Sequence, residues 1–244
     1  MSSERTHRDG TGCFHVPSRF QERFYGDFDP SVGPAAAAGL EAIRRVVSGD
    51  LRGLLLSGPV GCGKSLLAAI ACNELGAPLM EILWNALHRL WEAEDMEPSK
   101  ERSRLVAAAK EKVASEEEYF DSRCPRWIAV PTIFGAMRRE MTLAKRPATE
   151  TYQEAIDASG LLALDDVGAV KASEWVIEKL TELVANRYDN RGQIIVTTNL
   201  TANQLVAAGY ERIVSRLSDQ GALIEMKSAP DYRKRLRKTL ADEL

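Results

Sequence analysis

A glycine-rich segment early in the chain has the residue types that hold a triphosphate. It follows the pattern G-x-x-x-x-G-K-[ST] and consists of Gly58, Pro59, Val60, Gly61, Cys62, Gly63, Lys64 and Ser65. Glycines let backbone N–H groups wrap around phosphates, the Lys64 ammonium reaches the β- and γ-phosphates, and the Ser65 hydroxyl is a ligand for Mg²⁺. A helix that begins at Lys64 adds the positive end of its dipole. The segment therefore predicts a binding site for ATP and Mg²⁺.

Two adjacent carboxylates follow an apolar run further along the chain. Asp165 and Asp166 come directly after the run at 161–164. Such a run predicts a buried strand, and its carboxyl end lies where open α/β sheets bind ligands. Asp165 is therefore the candidate that holds Mg²⁺, usually through water, and Asp166 the candidate that polarises an attacking water. Two acids after a strand are weak evidence by themselves, but their position downstream of the phosphate loop favours a functional role.

Two further groups of polar residues have more than one interpretation. Asn199 comes soon after the apolar run at 194–197, where its amide can orient a water at the γ-phosphate, although asparagine is also a common turn residue. Arg212 and Arg216 are four residues apart and so share one face of a helix over 211–217. An arginine delivered to a neighbour's γ-phosphate accelerates hydrolysis. A surface arginine in an ion pair is the other interpretation.

Five short apolar runs predict the strands that position these residues, at 54–56, 127–130, 161–164, 194–197 and 223–226. Helical patterns separate the runs, and strands that alternate with helices predict an α/β fold with a parallel sheet covered on both faces. The predicted helices include one over 35–47 that ends at Gly49, one over 64–75 that Gly76 stops, one capped by Thr132 that buries Ile133, Phe134, Met137 and Met141, and one capped by Ser173.

The stretch at 78–126 does not fit this alternation because it has no clear strand. Its first part has apolar residues at helical spacing, and its second part, at 100–119, is rich in alanine, glutamate and lysine. This pattern predicts a helical hairpin inserted into the fold. Two interpretations are open, an elaboration of the packing and a docking surface for a partner.

The composition excludes several other classes of protein. The chain has 244 residues, a net charge of −3 and 45% hydrophobic residues, enough for one sizeable core. Its four cysteines lack CxxC spacing and its three histidines do not converge with them, which argues against structural zinc and favours free thiols in a reducing cytosol. It has neither a long apolar run nor a hydrophobic signal region. We therefore expect a cytoplasmic protein without a membrane-spanning segment.

Taken together, these motifs resemble those of the AAA+ ATPases, and more narrowly those of the DnaC-type helicase loaders and the related IstB transposition ATPases. The resemblance covers roughly residues 15–236 and depends on the order of the motifs more than on any one part other than the phosphate loop. The further parts that carry it are the entry segment at 16–20, Asp165-Asp166-Val167-Gly168, Asn190-Arg191 and Asp231-Tyr232-Arg233. It implies a three-layer P-loop AAA+ fold with a five-stranded parallel sheet. This fold would form one ATPase domain over 15–240, including the insertion, after a flexible lead-in over 1–14.

The resemblance also implies roles for individual residues and for partners. Asn199 corresponds to the residue called sensor 1, and Arg233 to a sensor-2-like arginine at the nucleotide. Arg216 corresponds to the arginine finger, with Arg212 as the less favoured candidate. The family implies slow ATP hydrolysis that is stimulated by oligomer formation or by DNA. It also implies self-association into an AAA+ oligomer in which the next subunit completes each site and single-stranded DNA is gripped along the oligomer.

Two departures from the family pattern affect the expected function. Loaders of this type carry an N-terminal helicase-binding domain, whereas only about fifteen residues precede the shared region here. The insertion at 78–126 is longer than the family pattern, so we hypothesise that it binds the partner instead. Loading of a replicative helicase is the favoured function, and the Asp165-Asp166 pair slightly favours it over the IstB-like function. The alternatives are an IstB-like ATPase that recruits a transposase, a small-molecule P-loop kinase, and a nucleotide-gated scaffold with little turnover.

Overall fold

Five parallel strands form the centre of the protein in the computed structural model, which describes residues 16–141 and 145–227. The strands are β1 (Gly53–Ser57), β2 (Arg126–Ala129), β3 (Leu162–Val167), β4 (Ile194–Thr198) and β5 (Gly221–Glu225). Their order across the sheet is β2-β3-β4-β1-β5, and each neighbouring pair is parallel. The predicted five-stranded parallel sheet is confirmed.

Helices cover both faces of this sheet. In the described ranges they are α1 (Pro34–Val47), α2 (Lys64–Asp95), α3 (Lys100–Arg123), α4 (Val130–Glu140), α5 (Pro147–Asp157), α6 (Glu174–Asp189), α7 (Ala202–Ala207) and α8 (Glu211–Asp219). Three short 3₁₀ turns, Ser18–Phe20, Tyr25–Asp27 and Pro30–Val32, precede α1. The lead-in over 1–14 and Arg233 lie outside the described residues.

Alternate residues of β1 separate the two layers of helices. Leu54 and Leu56 are buried in a cluster with residues of α1 and α2, such as Ile43. Leu55 is buried in a second cluster with residues of α4, α5, α6 and α8, such as Phe134. Because successive side chains of a strand point to opposite faces, the two clusters lie on opposite sides of the sheet. The three-layer α/β arrangement is therefore confirmed.

The predicted stop of α2 at Gly76 is wrong. α2 continues as one helix to Asp95, with Pro78 inside it. Beyond the proline its buried positions continue at Met80, Leu83, Ala86 and Ala93. α3 packs along this part of α2, and burial of the stripe outweighs the local cost of about 1 kcal/mol for a helical glycine and about 3 kcal/mol for a helical proline.

The second half of α2 and α3 form a helical hairpin, as the sequence predicts for 78–126. Ser99 caps α3 by accepting a hydrogen bond from Arg102 N at 2.9 Å. The two helices are also tied at Glu94, whose carboxylate pairs with Lys110 at 3.3 Å and whose carbonyl accepts from Arg102 Nη2 at 2.9 Å. The hairpin extends α2 to 32 residues, a length of about 48 Å.

The cap that the sequence predicts at Thr132 is also wrong. α4 begins at Val130 with a proline in its first turn and no side-chain cap, because proline is pre-organised for the first turn of a helix. Met141, expected in the core, is 67% exposed. Ser173 does cap α6, since its hydroxyl accepts from Val176 N.

α2 is the one helix in the described ranges that is long and apolar enough to cross a membrane. Buried residues make up 61% of its most apolar stretch. The apolar residues of α2 therefore pack mainly in the core of the fold.

Candidate nucleotide-binding site

The phosphate loop connects the end of β1 to the start of α2. Gly58 has a φ of 144°, and a Cβ there would lie 3.0 Å from the carbonyl oxygen of Met226. Gly63 has a φ of 98°, and a Cβ there would lie 2.9 Å from the ring of Phe28. Both positions therefore require glycine. Gly63 is also the N-cap of α2 and provides no side-chain cap, which leaves the first N–H groups of the helix available to an anion.

Lys64 is buried at the centre of the loop, with 6% of its surface exposed. Its Nζ donates to the carbonyl oxygens of Gly58 and Pro59, at 2.8 Å each. It also donates to Oδ1 of Asn199 at 3.0 Å. The ammonium is thus held inside the loop, beside the end of β4.

Asp165, in the second half of β3, accepts hydrogen bonds from two hydroxyl groups. Ser65 Oγ donates to Asp165 Oδ1 at 2.7 Å, and Thr197 Oγ1 donates to the same oxygen at 2.6 Å. Burial and the charge of Asp166 raise the pKa of the Asp165 carboxyl, and the two hydroxyl donors and the charge of Arg19 partly offset this rise. The sequence predicted Ser65 and Asp165 but assigned no role to Thr197. Its signal is the pair of threonines that ends the apolar run of β4.

A bulge in β3 brings Asp166 to the same side of the site. Leu164 pairs with Val196 and Val167 with Thr198, so two residues of β3 oppose one of β4. Asp166 has a φ of 65°, a left-handed conformation that aspartate tolerates better than most residues. In a regular strand, successive side chains would point to opposite faces. The bulge is therefore what allows two adjacent carboxylates to serve one site.

The amide of Asn199 connects the carboxylate side of the site to the lysine side. Its Nδ2 donates to Asp166 Oδ1 at 3.0 Å, and its Oδ1 accepts from Lys64. The backbone N–H of Asp166 donates to Thr197 Oγ1 at 3.0 Å. The structure thus brings together Lys64, Ser65, Asp165, Asp166 and Asn199.

Arg216 is not part of this cluster. Its Nη1 donates to Arg212 O at 3.3 Å, and its guanidinium carbon lies 5.7 Å from the centre of the Tyr188 ring. α8, which carries Arg216, ends beside the first residues of β1 and β5, since Gly53 pairs with Gly221. Arg216 therefore lies towards the amino-terminal ends of the strands, whereas its own phosphate loop follows the carboxyl end of β1. Arg212, one turn earlier, is exposed.

The residues of the site fit a nucleotide with Mg²⁺. A hydroxyl and a carboxylate oxygen, from Ser65 and Asp165, are ligands that Mg²⁺ prefers. In the described part of the chain, no group of three or more His, Cys, Asp or Glu side chains could hold a metal ion. A magnesium ion would therefore have Ser65 and Asp165 as its protein ligands and phosphate oxygens of the nucleotide as further ligands.

The profile of the AAA family, "ATPase family associated with various cellular activities", matches residues 54–216, which is more than half of the chain. The chain belongs to this family. The match includes the phosphate loop, both carboxylates, Asn199 and Arg216, and the resemblance to AAA+ ATPases is confirmed. Membership of the family implies that the site binds a nucleotide.

Several solved structures with the same fold are of replication proteins. The DnaC helicase loader is 17% identical, with 86% of this chain and 100% of that chain covered and a TM-score of 0.53. DnaI is 19% identical, with 89% and 94% covered and a TM-score of 0.58. AMPPCP-bound DnaA from Aquifex aeolicus is 18% identical, with 93% and 56% covered and a TM-score of 0.58. At these identities the similarity shows the fold alone, and no curated protein matches the chain in sequence.

Proposed function

We propose that the chain is an ATPase that acts on DNA, and we favour a role as the loader of a replicative helicase. The proposal rests on one observation, the continuous contacts from Lys64 through Asn199 to Asp166 beside the pair of Ser65 and Asp165. These contacts combine a cation for phosphates, oxygen ligands for a metal ion, and a carboxylate that can accept a proton. The carboxylate is what hydrolysis requires beyond binding.

Each side chain of the cluster has a proposed role. The Gly58–Ser65 backbone and Lys64 bind the phosphates, while Ser65 and Asp165 hold Mg²⁺, which neutralises phosphate charge when bound. Asp166 accepts the proton of the attacking water, and Asn199 fixes the position of that carboxylate. Arg233, outside the described residues, is proposed as a further contact of the nucleotide.

A second subunit would complete the site. Arg216 lies towards the amino-terminal ends of the strands, and its own phosphate loop lies at their carboxyl ends. It can therefore act only on the nucleotide of a neighbouring copy. This supports ATP-dependent self-association of a single ATPase domain over 15–240, with the arginine finger supplied between subunits. Single-stranded DNA is the proposed ligand of the oligomer. One protein of the same fold, the replication initiator DnaA, has been solved with AMPPCP and single-stranded DNA bound.

The first test is release of inorganic phosphate from ATP with and without single-stranded DNA. We expect slow release that rises with DNA and with protein concentration. A small-molecule kinase, the alternative from another class, would instead transfer the phosphate to a metabolite. A wild-type protein that releases no phosphate under any of these conditions contradicts the ATPase proposal and leaves the scaffold interpretation.

The helical hairpin is the proposed contact with the helicase. Trp84 and Trp91 are 56% and 67% exposed, and seven residues, close to two full turns, put them on one side of α2. His88 lies between them, with its ring 5.9 Å from that of Trp91. Exposed tryptophans are frequent anchors of protein interfaces. The stretch at 78–126 also has an excess of acidic over basic residues, which suits a helicase surface with a basic rim.

A double variant tests the hairpin proposal. Trp84→Ala with Trp91→Ala is expected to lose co-purification with the replicative helicase while ATP hydrolysis is kept. Ile82→Ala is the control, because Ile82 is also exposed, at 43%, on the same helix. Unchanged helicase binding by the double variant would reject the hairpin as the contact.

The IstB-like alternative differs in its partner. It predicts that the assembled protein recruits a transposase, so binding of a transposase rather than a helicase in the same co-purification would favour it. We also propose a cytoplasmic location, which is consistent with Cys62 being a free thiol.

A further inference from the structure

The ring of Tyr188 lies beside the guanidinium of Arg216. Tyr188 is in the last turn of α6 and Arg216 in α8, and the guanidinium carbon lies 5.7 Å from the centre of the ring. A cation within about 6 Å of a ring centre is attracted to the ring. α6 and α8 pack against each other, with Leu183 and Ile213 buried in the same cluster. The ring therefore has a defined position relative to the helix that carries Arg216.

Asp219 holds the hydroxyl end of this ring. The Tyr188 hydroxyl donates to Asp219 Oδ2 at 2.6 Å, and Asp219 lies three residues after Arg216 on the same side of α8. Because the helix dipole disfavours an acidic residue in the last turn, the hydrogen bond rather than helix stability accounts for this carboxylate. A hydroxyl that donates to a carboxylate also makes its ring more electron-rich, which strengthens the attraction of the ring for a cation.

The charge of Arg216 remains available despite these contacts. Among residues 16–141 and 145–227, no ion pair includes Arg216. Its Nη1 donates to the carbonyl oxygen of Arg212, and its buried Nε has no partner in these ranges. A ring attracts a cation through its face and does not neutralise it. Tyr188 therefore orders the side chain of Arg216 and leaves its charge to an anion from outside the subunit.

We propose that Tyr188 and Asp219 are positioning residues for Arg216, which keep its guanidinium ordered for the terminal phosphate of ATP in a neighbouring copy. This inference rests on the proposed function, since it requires that Arg216 acts between subunits. A long side chain loses rotamer freedom when it binds, and one that is already ordered loses less. The contribution of Tyr188 and Asp219 therefore belongs to the rate of hydrolysis and not to the affinity of their own subunit for ATP.

Tyr152 provides a matched control on the same helix. Its hydroxyl donates to Glu182 Oε2 at 2.7 Å, and the Nζ of Lys179 lies 5.3 Å from the centre of its ring. In this case the cation already pairs with the acid, since Lys179 Nζ lies 2.7 Å from Glu182 Oε2. A change at Tyr152 therefore removes the same kind of contact from α6 without affecting Arg216.

The first test compares the turnover of the variants with their affinity for AMPPCP. Tyr188→Leu removes the ring, and we expect it to lower turnover at saturating ATP by roughly 3- to 30-fold, the range that loss of a cation–π contact allows. Its affinity for AMPPCP should stay unchanged. Tyr188→Phe and Asp219→Ala should each lose less, and the double variant should be no slower than either, because both changes remove one hydrogen bond. Tyr152→Phe should keep wild-type turnover.

Mixing experiments locate the defect. A Tyr188→Leu subunit keeps its own Asp166, so mixing it with Asp166→Asn should raise the turnover per subunit that has an intact Asp166. Mixing it with Arg216→Ala should give no rise. A rise with Arg216→Ala would place the defect in the variant's own nucleotide site, and no rise with either partner would show a role in folding or assembly. Each of these two results would overturn the inference. If Tyr188→Leu does not fold, the same mixtures with Tyr188→Phe decide.

Two results separate this inference from the proposed function. Wild-type turnover in Tyr188→Leu, in a protein that Arg216→Ala inactivates, would refute the positioning role alone. Full activity of Arg216→Ala would refute the arginine finger and this inference with it.

Discussion

The side-chain amide of Asn199 donates to Asp166 Oδ1 at 3.0 Å while its oxygen accepts from Lys64. Only one orientation of the amide satisfies both neighbours, because an ammonium cannot accept a hydrogen bond and an ionised carboxylate cannot donate one. Lys64 and Asp166 come from the two motifs that the sequence singles out most clearly. Asn199 therefore joins the phosphate-binding half of the site to the half that would activate water.

Lys64→Ala is expected to lose ATP binding. The loop would keep its glycines and the helix its free N-terminus, but the buried cation that meets the phosphates would be gone. Isothermal titration with ATP and Mg²⁺ measures the loss. Lys171→Ala, a change at an exposed lysine, is the control, and ATP affinity near the wild-type value in Lys64→Ala would contradict the assigned site.

Asp166→Asn is expected to separate binding from hydrolysis. The amide is similar in shape but cannot accept a proton from water, so turnover should fall by roughly 10²- to 10⁴-fold, the usual contribution of a general base. ATP affinity should stay close to that of the wild type. Single-turnover phosphate release measures the rate, and full turnover in this variant would assign the base to another residue.

Arg216→Ala is expected to bind ATP and to lose hydrolysis, on the order of 10³-fold if it is an arginine finger. Mixing this variant with Asp166→Asn should restore part of the turnover. In mixed assemblies some sites combine an intact Asp166 with an intact Arg216 from the neighbour. Arg212→Ala, at the less favoured candidate on the same helix face, is the comparison and should keep hydrolysis if Arg216 is the finger. Full activity of Arg216→Ala alone, or a mixture no more active than its components, would contradict the role.

Thr197→Val should weaken both the fold and the site. The hydroxyl of Thr197 donates to Asp165 and accepts from the backbone N–H of Asp166, whereas valine of nearly the same shape does neither. Leaving such buried groups without a partner costs about 1–3 kcal/mol. Urea denaturation measures the stability and phosphate release the activity. Thr197→Ser, which keeps the hydroxyl, should retain most of both. Wild-type stability and turnover in Thr197→Val would show that the bulge does not depend on this hydroxyl.

Glu140 is expected to make the stability of the protein depend on pH. Burial raises the pKa of Glu140, but hydrogen bonds from Ala148 N and from the N–H and hydroxyl of Thr149, with the charge of Arg139, bring the net pKa below its usual 4.5. The unfolded chain thus binds this proton more tightly, so the stabilisation is present above pH 4.5 and is lost as pH falls through the folded pKa.

Denaturation of Glu140→Gln at several pH values tests this dependence. The stability gap between wild type and variant should be largest near neutral pH and should shrink in acid. Glu154→Gln, a change at an exposed glutamate in α5, should show no such pH-dependent gap. A constant gap at all pH values would mean that the charge of Glu140 does not stabilise α5.

The sequence by itself determined the sheet, the phosphate loop and the family. Strong local signals are the reason: apolar runs of strand length, a loop whose spacing is set by the geometry of phosphates, and carboxylates that directly follow an apolar run. The helix cap at Ser173 and the hairpin at 78–126 could also be predicted from the sequence, because caps and helical periodicity depend on residues that are close in the sequence.

Only the tertiary structure decided the features that depend on distant residues. α2 passes Gly76 and Pro78 because α3 covers its apolar stripe, and α5, which the sequence did not indicate, begins where Glu140 from the preceding helix caps its N-terminus. At the bulge that turns Asp166 towards Asn199, the backbone N–H of Asp166 is hydrogen-bonded to Thr197, 31 residues away. Local propensities amount to about 1 kcal/mol per residue, so packing and buried hydrogen bonds between distant segments override them.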